Sequence, residues 1–244
     1  LAIKQNRKNV IYISPDGMLE PLGYSQVLKY LLEISTEFEI TLISFEKKVD
    51  LSKTELKESV NDLCKDHNIK WIWLKYDNWP KISSHLFNII KLFLVVFFLL
   101  CRKRISLIHI RSCFPGIVIP ILARIFAFKF IFDMRGLWAD EKHDRLGWSK
   151  KSYKYRFFKQ LESWLLVKSV KIITLTHGLK KLLIESKKIP DNKIGVIRTC
   201  ADPKEFFPIN RGEKNSLTIG YLGSMDTAYS FEEIVKFFKN FLKF

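Results

Sequence analysis

The chain has 244 residues, 48% of them hydrophobic and 20 of them phenylalanine, enough for one large domain or one and a half. Its formal net charge of +16 favours anionic partners, such as phosphorylated substrates or anionic lipid. Nucleic acid is set aside, because the lysines are scattered and come with no helix-turn-helix spacing, zinc finger or RNP-type aromatic motif.

In chain order, residues 1–9 are polar and basic. The apolar run after them meets Ser14-Pro15-Asp16 too soon for the core of a signal peptide. Strands are expected over 10–14, 40–45, 69–74, 107–110, 130–133, 171–175 and 193–197. Between them, 24–34 carries a helical stripe of Val27, Leu28, Leu31, Leu32 and Ile34. Residues 114–126, 153–167 and 179–185 also read as helices. This alternation predicts an α/β fold: a Rossmann-like, mostly parallel sheet with helices on both faces. Several strands are almost continuously apolar, as expected when both faces are covered.

The most apolar segment is 86–101, LFNIIKLFLVVFFLLC, interrupted by Lys91 and followed by Arg102-Lys103-Arg104. It falls short of the roughly 20 apolar residues of a spanning helix. Two readings stay open, a buried helix and one lying at a bilayer surface. The basic triplet and the net charge favour peripheral contact with an anionic membrane surface, at the inner, cytoplasmic face of the cell membrane. The cysteines agree with a reducing cytoplasm: Cys64, Cys101, Cys113 and Cys200 lie far apart, with no CxxC. No Cys or His pair has zinc-ligand spacing.

Two prolines close together near 201–208, and the polar run after them, mark a boundary. Residues 1–205 are read as one domain, 206–216 as a linker, and 217–244 as the first strand and helix of a truncated second domain. The leading residue is Leu, so the sequence is read as a fragment or a processed chain.

Chemistry is expected outside the carboxyl ends of the strands. Asp133-Met-Arg-Gly-Leu-Trp-Ala-Asp-Glu141 packs four charged side chains into nine residues directly after an apolar strand. A capped loop with surface ion pairs is the plainer explanation. Gly136 and Trp138, an adaptable backbone and a flat contact surface, favour binding or catalysis. Arg111, on the same strand face as His109, is placed to bind a phosphate or sugar hydroxyl, or else to pair with Asp133 or Asp140. His109 is read as a core histidine. His177 either faces the same cleft or serves packing and capping. Gly23, before a helix, is either an anion site or a loop hinge. No Asp-x-Asp pair, GxGxxG, Walker or hydrolase motif occurs. Any diphosphate would then be neutralised by cationic side chains and backbone dipoles rather than through a carboxylate-held metal.

Four segments carry a family resemblance: VIYISPDGMLEPLGYSQVLKYL, FIFDMRGLWADE, IITLTHGLKKLL and IGVIRTCADPKEFFP. Together they resemble family 4 glycosyltransferases of GT-B fold, of the kind that builds bacterial surface polysaccharides, from about Val10 onward. The resemblance implies two Rossmann-like domains across a cleft, the first binding acceptor and the second the sugar nucleotide. It implies sugar transfer with retention from a nucleotide-sugar, with no cofactor and no required metal. The acceptor it suggests is a saccharide, and the apolar segment points to a lipid-linked one. Asp133 and Arg135 would be catalytic. Gly23, Tyr24, Gln26, Arg111, Asp140, Glu141, His177 and Arg198 would bind substrates. Gly223 and Ser224 would form the donor-side loop.

Three departures stand out. Leu22-Gly23 replaces the paired glycines of many relatives, and Gly223-Ser224-Met225 lacks their arginine. The family's Glu-x7-Glu segment of the second domain is missing, since Asn240 and Phe241 lie at the required distance from Glu232 and Glu233. The chain by itself is therefore expected to be inactive. Two rival readings are a non-catalytic acceptor- or membrane-docking subunit and a nucleotide-sugar epimerase.

Overall fold

The computed structural model describes residues 7–78, 80–204, 206–208, 220–222 and 231–241. Seven parallel strands form one sheet in the order β3-β2-β1-β4-β5-β6-β7. They are β1 (Lys8–Ser14), β2 (Phe38–Lys47), β3 (Lys70–Tyr76), β4 (Leu107–Arg111), β5 (Lys129–Met134), β6 (Lys171–Thr174) and β7 (Ile194–Val196). All seven coincide with the apolar runs expected from sequence. The order reverses between β1 and β4, which makes that crevice the topological switch point.

The helices are α1 (Pro21–Gly23), continued by a π turn (Tyr24–Leu28) into α2 (Lys29–Ile34), then α3 (Lys48–Leu51), α4 (Thr54–Asp66) and α5 (Lys81–Arg102). After β4 come α6 (Cys113–Gly116), α7 (Ile119–Leu122), α8 (Trp138–Leu146), α9 (Tyr153–Lys168), α10 (His177–Lys187) and α11 (Phe231–Phe241). Strand alternation sorts the sheet into two cores. Ile11, Ile13, Ile108, Ile110, Phe130 and Phe132 pack with Leu92 and Val96 of α5 and Leu165 of α9. Tyr12, Ile40 and Leu42 pack on the opposite side with Val27, Leu28, Leu31 and Val60.

Three local departures have physical causes. The single helix expected over 114–126 is two short turns, α6 and α7. Pro120 brings no N–H and crowds the carbonyl four residues back, so the first turn cannot run on. Trp138–Leu146 is a helix where a charged loop was expected. Asp140 and Glu141 in its first turn, and His143 and Arg145 in its last, oppose the helix dipole, and Gly147 closes it at φ +64°. The apolar segment belongs to a helix of 22 residues, longer than its apolar run. Of the expected strand over 217–222, only Gly220, Tyr221 and Leu222 are described, without regular structure; Gly223 and Ser224 lie outside the described residues. All four cysteines are free thiols.

Candidate functional site

The polar face of the sheet begins inside it. Tyr12, His109 and Asp133 sit on the face opposite to Ile13, Ile110 and Phe132, with Tyr12 beside His109 and Arg111 beside Asp133 in register. Each would ordinarily be an apolar core position. His109 and Asp133 are only 7% and 4% exposed. The Tyr12 and His109 rings meet with centroids 4.3 Å apart. Burial, and then the negative charge of Asp133, push the Tyr12 phenol upward, so it stays protonated.

Two arginines close the cluster. Arg111 donates from Nε to Asp16 Oδ2 at 2.8 Å and from Nη2 to Gln26 Oε1 at 3.1 Å. Arg135 donates to the same Gln26 oxygen at 2.8 Å and to Thr199 Oγ1 at 3.2 Å. Burial works against the Arg111 charge, but the bond to Asp16 and the carboxylates of Asp16 and Asp133 outweigh it, and its pKa rises. Arg135 is shifted down by its own burial and by the like charge of Arg111.

Asp133 lies at ion-pair distance from both arginines without a hydrogen bond to either. Its Oδ2 is 3.6 Å from Arg111 Nη1 and 3.9 Å from His109 Nε2, and its Oδ1 is 3.8 Å from Arg135 Nη1. Asp133 Oδ1 and His109 Nε2 are buried with no hydrogen-bond partner among the described residues. Buried polar atoms are nearly always bonded, so two orphans side by side mark a place built for something other than stability. The backbone gives a second sign. Ser112, next after Arg111, has φ 69° and ψ 170°, a region that side chains other than glycine avoid at a cost of about 1–3 kcal/mol. Its N–H bonds the Asp133 carbonyl at 2.9 Å, which locks β4 to β5 at the cluster.

The loop after β1 is held from behind by Glu46 at the end of β2. This fully buried carboxylate accepts N–H bonds from Met18 at 2.7 Å and Leu19 at 3.2 Å, and the Ser44 hydroxyl at 2.6 Å. Burial raises its pKa, and those hydrogen bonds oppose the rise. The loop is compact because it carries glycine at two close approaches. A Cβ on Gly17 would lie 2.9 Å from the Phe45 carbonyl oxygen, and one on Gly23 would land on the Gly17 carbonyl. This closure brings Asp16, and then Gln26 in the π turn, to Arg111. π turns recur at functional positions.

Of the residues singled out in the sequence, the cluster unites Gln26, Arg111, Asp133 and Arg135. Gly23 is buried against Gly17, and Tyr24 stacks with the Lys29 amine 5.9 Å from its ring. Asp140 faces α9, where it accepts from Tyr155 Oη at 2.6 Å and Lys159 Nζ at 2.8 Å. Glu141 curls back over the Gly136 backbone beside Arg135. Trp138 packs against Phe158, with centroids 4.3 Å apart, instead of offering a flat open face. His177 and Arg198 are exposed, and the cap of α10 is Thr176, which accepts from Leu179 N–H at 3.1 Å. Asp16, Tyr12 and Glu46 were not singled out. Tyr12 and Asp16 had a legible signal, being polar positions in and just after the first strand; Glu46 merely ends an apolar run. Among the described residues, no group of three or more His, Cys, Asp or Glu is placed to hold a metal ion.

The fold has solved counterparts. The chain matches sucrose-phosphate synthase from Thermosynechococcus elongatus with a TM-score of 0.58 and 12% sequence identity, over 83% of this chain and 51% of that one. It matches a UDP-glucosyltransferase from Polygonum tinctorium with a TM-score of 0.52 and 11% identity, over 85% and 55%. It matches LpCGTa, solved in complex with UDP, with a TM-score of 0.53 and 11% identity, over 82% and 54%. The chain thus spans about half the length of each. At these identities the likeness shows the fold, the Rossmann-like α/β architecture of GT-B glycosyltransferases. No protein-family model and no curated protein sequence matches the chain.

Proposed function

We propose that the chain is the acceptor-binding half of a retaining glycosyltransferase that moves a sugar from a nucleotide-sugar to a lipid-linked saccharide in cell-surface polysaccharide synthesis. One observation carries this: a buried carboxylate oxygen of Asp133, with no hydrogen-bond partner among the described residues, one strand from the switch point of a Rossmann-like sheet. Such a crevice is where folds of this kind bind ligands.

The reaction breaks the bond between the sugar anomeric carbon and the diphosphate oxygen and forms one to an acceptor hydroxyl. The hydroxyl proton leaves with the diphosphate. Negative charge grows on the departing phosphate, and positive charge on the ring. Asp133 accepts a hydrogen bond from the acceptor hydroxyl and stabilises the oxocarbenium-like ring; it is not a nucleophile. Arg135, part-exposed at the mouth, faces the growing phosphate charge, and such preorganised charge lowers the barrier. Gln26 fixes both guanidinium groups by one oxygen. The donor is a substrate, and the proposal requires no cofactor or metal. In this reading the donor is held mainly by a second domain, so the chain alone does not transfer sugar.

The test is a transfer assay and calorimetry with UDP, GDP and their sugars, on the chain alone and on the protein that carries it in full. Donor binding and acceptor-dependent transfer by the full protein alone are expected. Turnover of the nucleotide-sugar without acceptor would replace transfer by epimerisation. Absence of donor binding by the full protein would leave a docking subunit.

A further inference from the structure

From Leu92 to Leu100 α5 is apolar on every side. Ser84, Asn88, Leu92 and Val96, spaced by four, are buried toward the sheet. Leu86, Ile90, Leu94 and Phe98, with the same spacing two residues on, are 42–58% exposed, and Phe87 joins them at 58%. A helix apolar all round belongs in a core or in lipid, and this outer row is open among the described residues. The surface continues sideways. Phe97 meets Phe126 with centroids 5.4 Å apart, and Ile121 and Ile125 on the same neighbouring turn are 48% and 56% exposed. Exposed apolar surface on this scale marks a contact face.

Charge identifies the partner. No Asp or Glu occurs from Lys81 to Leu107. Arg102, Arg104 and Arg124 are exposed and make no ion pair among the described residues. Arg104 also lines, with Lys8 and Lys129, a groove of about 720 Å³ at the amino ends of β1, β4 and β5, walled by Phe38, Ile105 and Phe128. Phenylalanine and leucine flanked by arginine suit the boundary between acyl chains and anionic headgroups.

The stretch Ser84–Arg102 is long and apolar enough to cross a bilayer by length and composition. Its inner row is nonetheless part of the sheet core. Asn88 donates to the Asp77 carbonyl at 2.8 Å and accepts the Asp77 N–H at 3.2 Å, and Lys91 pairs with the Asp77 carboxylate at 2.7 Å. Pulling α5 into a spanning position would strip the sheet of Leu92 and Val96. A helix so anchored can only lie flat.

We propose that the outer face of α5, with Ile121 and Ile125, docks flat on an anionic phospholipid bilayer, with Arg102, Arg104 and Arg124 at the headgroups. Because α5 runs from the carboxyl end of β3 to the amino end of β4, its Leu86 end comes to the same edge of the sheet as Arg111 and Asp133. His85 faces Phe114 there, with centroids 6.5 Å apart. The inference stands on the helix and its charges, independently of the chemistry assigned to Asp133.

The test is sedimentation with two vesicle populations, phosphatidylcholine alone and one part phosphatidylglycerol to two parts phosphatidylcholine. Binding to the anionic vesicles is expected at low salt, at least about tenfold weaker on neutral vesicles or in high salt. The double variant Leu94→Glu, Phe98→Glu is expected to lose at least about tenfold in vesicle affinity with unchanged Tm, and Arg102→Ala with Arg104→Ala to lose less. The arginine pair reports even if the glutamate variant does not fold. Equal binding by wild type and both variants would overturn the proposal. So would retention in high salt until detergent is added, which is the signature of a spanning helix. Self-association abolished by the glutamate variant, with no vesicle binding, would assign the face to a second copy instead.

Discussion

Asp133 and Asp140 stand seven residues apart in one charged stretch, and they have opposite fates. Asp140, on the first turn of α8, has both carboxylate oxygens bonded, to Tyr155 and Lys159. Lys159 also reaches Glu162 at 2.7 Å, so the group ties α8 to α9. Asp133, at the end of β5, is more deeply buried, has two arginines at 3.6 and 3.8 Å, and keeps an oxygen with no hydrogen bond among the described residues. Asp140, with both oxygens bonded, holds structure, whereas the orphan oxygen of Asp133 lies beside two arginines and the unpartnered His109 nitrogen. That setting is unlike that of Glu162 Oε2, the other orphan carboxylate oxygen among the described residues, whose carboxylate is bonded by Lys159. Satisfaction of hydrogen bonds, and not charge density, is what separates the two.

The largest effect that can break this contrast is catalytic. Asp133→Asn in the full protein is expected to lower kcat for sugar transfer at least about a hundredfold, about 2.7 kcal/mol of barrier, with little change in Tm. An unchanged kcat would remove Asp133 from the reacting centre. A purely structural effect comes next. In Gly23→Ala the added methyl meets the Gly17 carbonyl, and a loss of about 1–3 kcal/mol is expected by urea unfolding. Stability equal to wild type would show that the β1 loop relaxes freely and does not hold Gln26 in place.

The smallest effect sharpens the contrast from the other side. Asp140→Asn is expected to cost about 1 kcal/mol of stability at neutral pH and to leave kcat unchanged. Asp140 is buried enough to raise its pKa, but the Lys159 and Tyr155 hydrogen bonds outweigh that and the native value lies below the usual one. Its contribution is therefore present above the unfolded carboxyl pKa and is lost as pH falls through the native value. The Tm difference between wild type and Asp140→Asn should shrink as the solution is acidified below about pH 4. A constant difference would mean that the carboxylate charge plays no part. Glu46 titrates with the opposite sign: its native pKa is raised, so acidification favours the fold at that position.

The strands were legible because each is an apolar run bounded by turn residues, and burial on both faces leaves such runs little freedom. α4 was not assigned from the sequence, since its charged residues hide a narrow buried face of Val60 and Cys64. The helix over 114–126 failed at Pro120, where a missing N–H overrides apolar periodicity. Within the site, Arg111, Asp133, Arg135 and Gln26 stood out as polar residues at strand ends or in the family-like opening. Tyr12 and Asp16 carried a local signal as polar positions in and just after the first strand, but nothing local records which groups they meet across the sheet, and Glu46, which braces the loop, carried none.

The sequence by itself determined the parallel α/β architecture, the positions of the seven strands and the charge-rich end of β5, all properties of neighbouring residues. Only the tertiary structure decided that Gln26 joins two arginines 85 and 109 residues away, that one oxygen of Asp133 has no hydrogen bond among the described residues while both of Asp140 have one, and that one row of α5 faces outward. Those outcomes depend on strand register and on burial from several elements at once, and neither is encoded in any single segment.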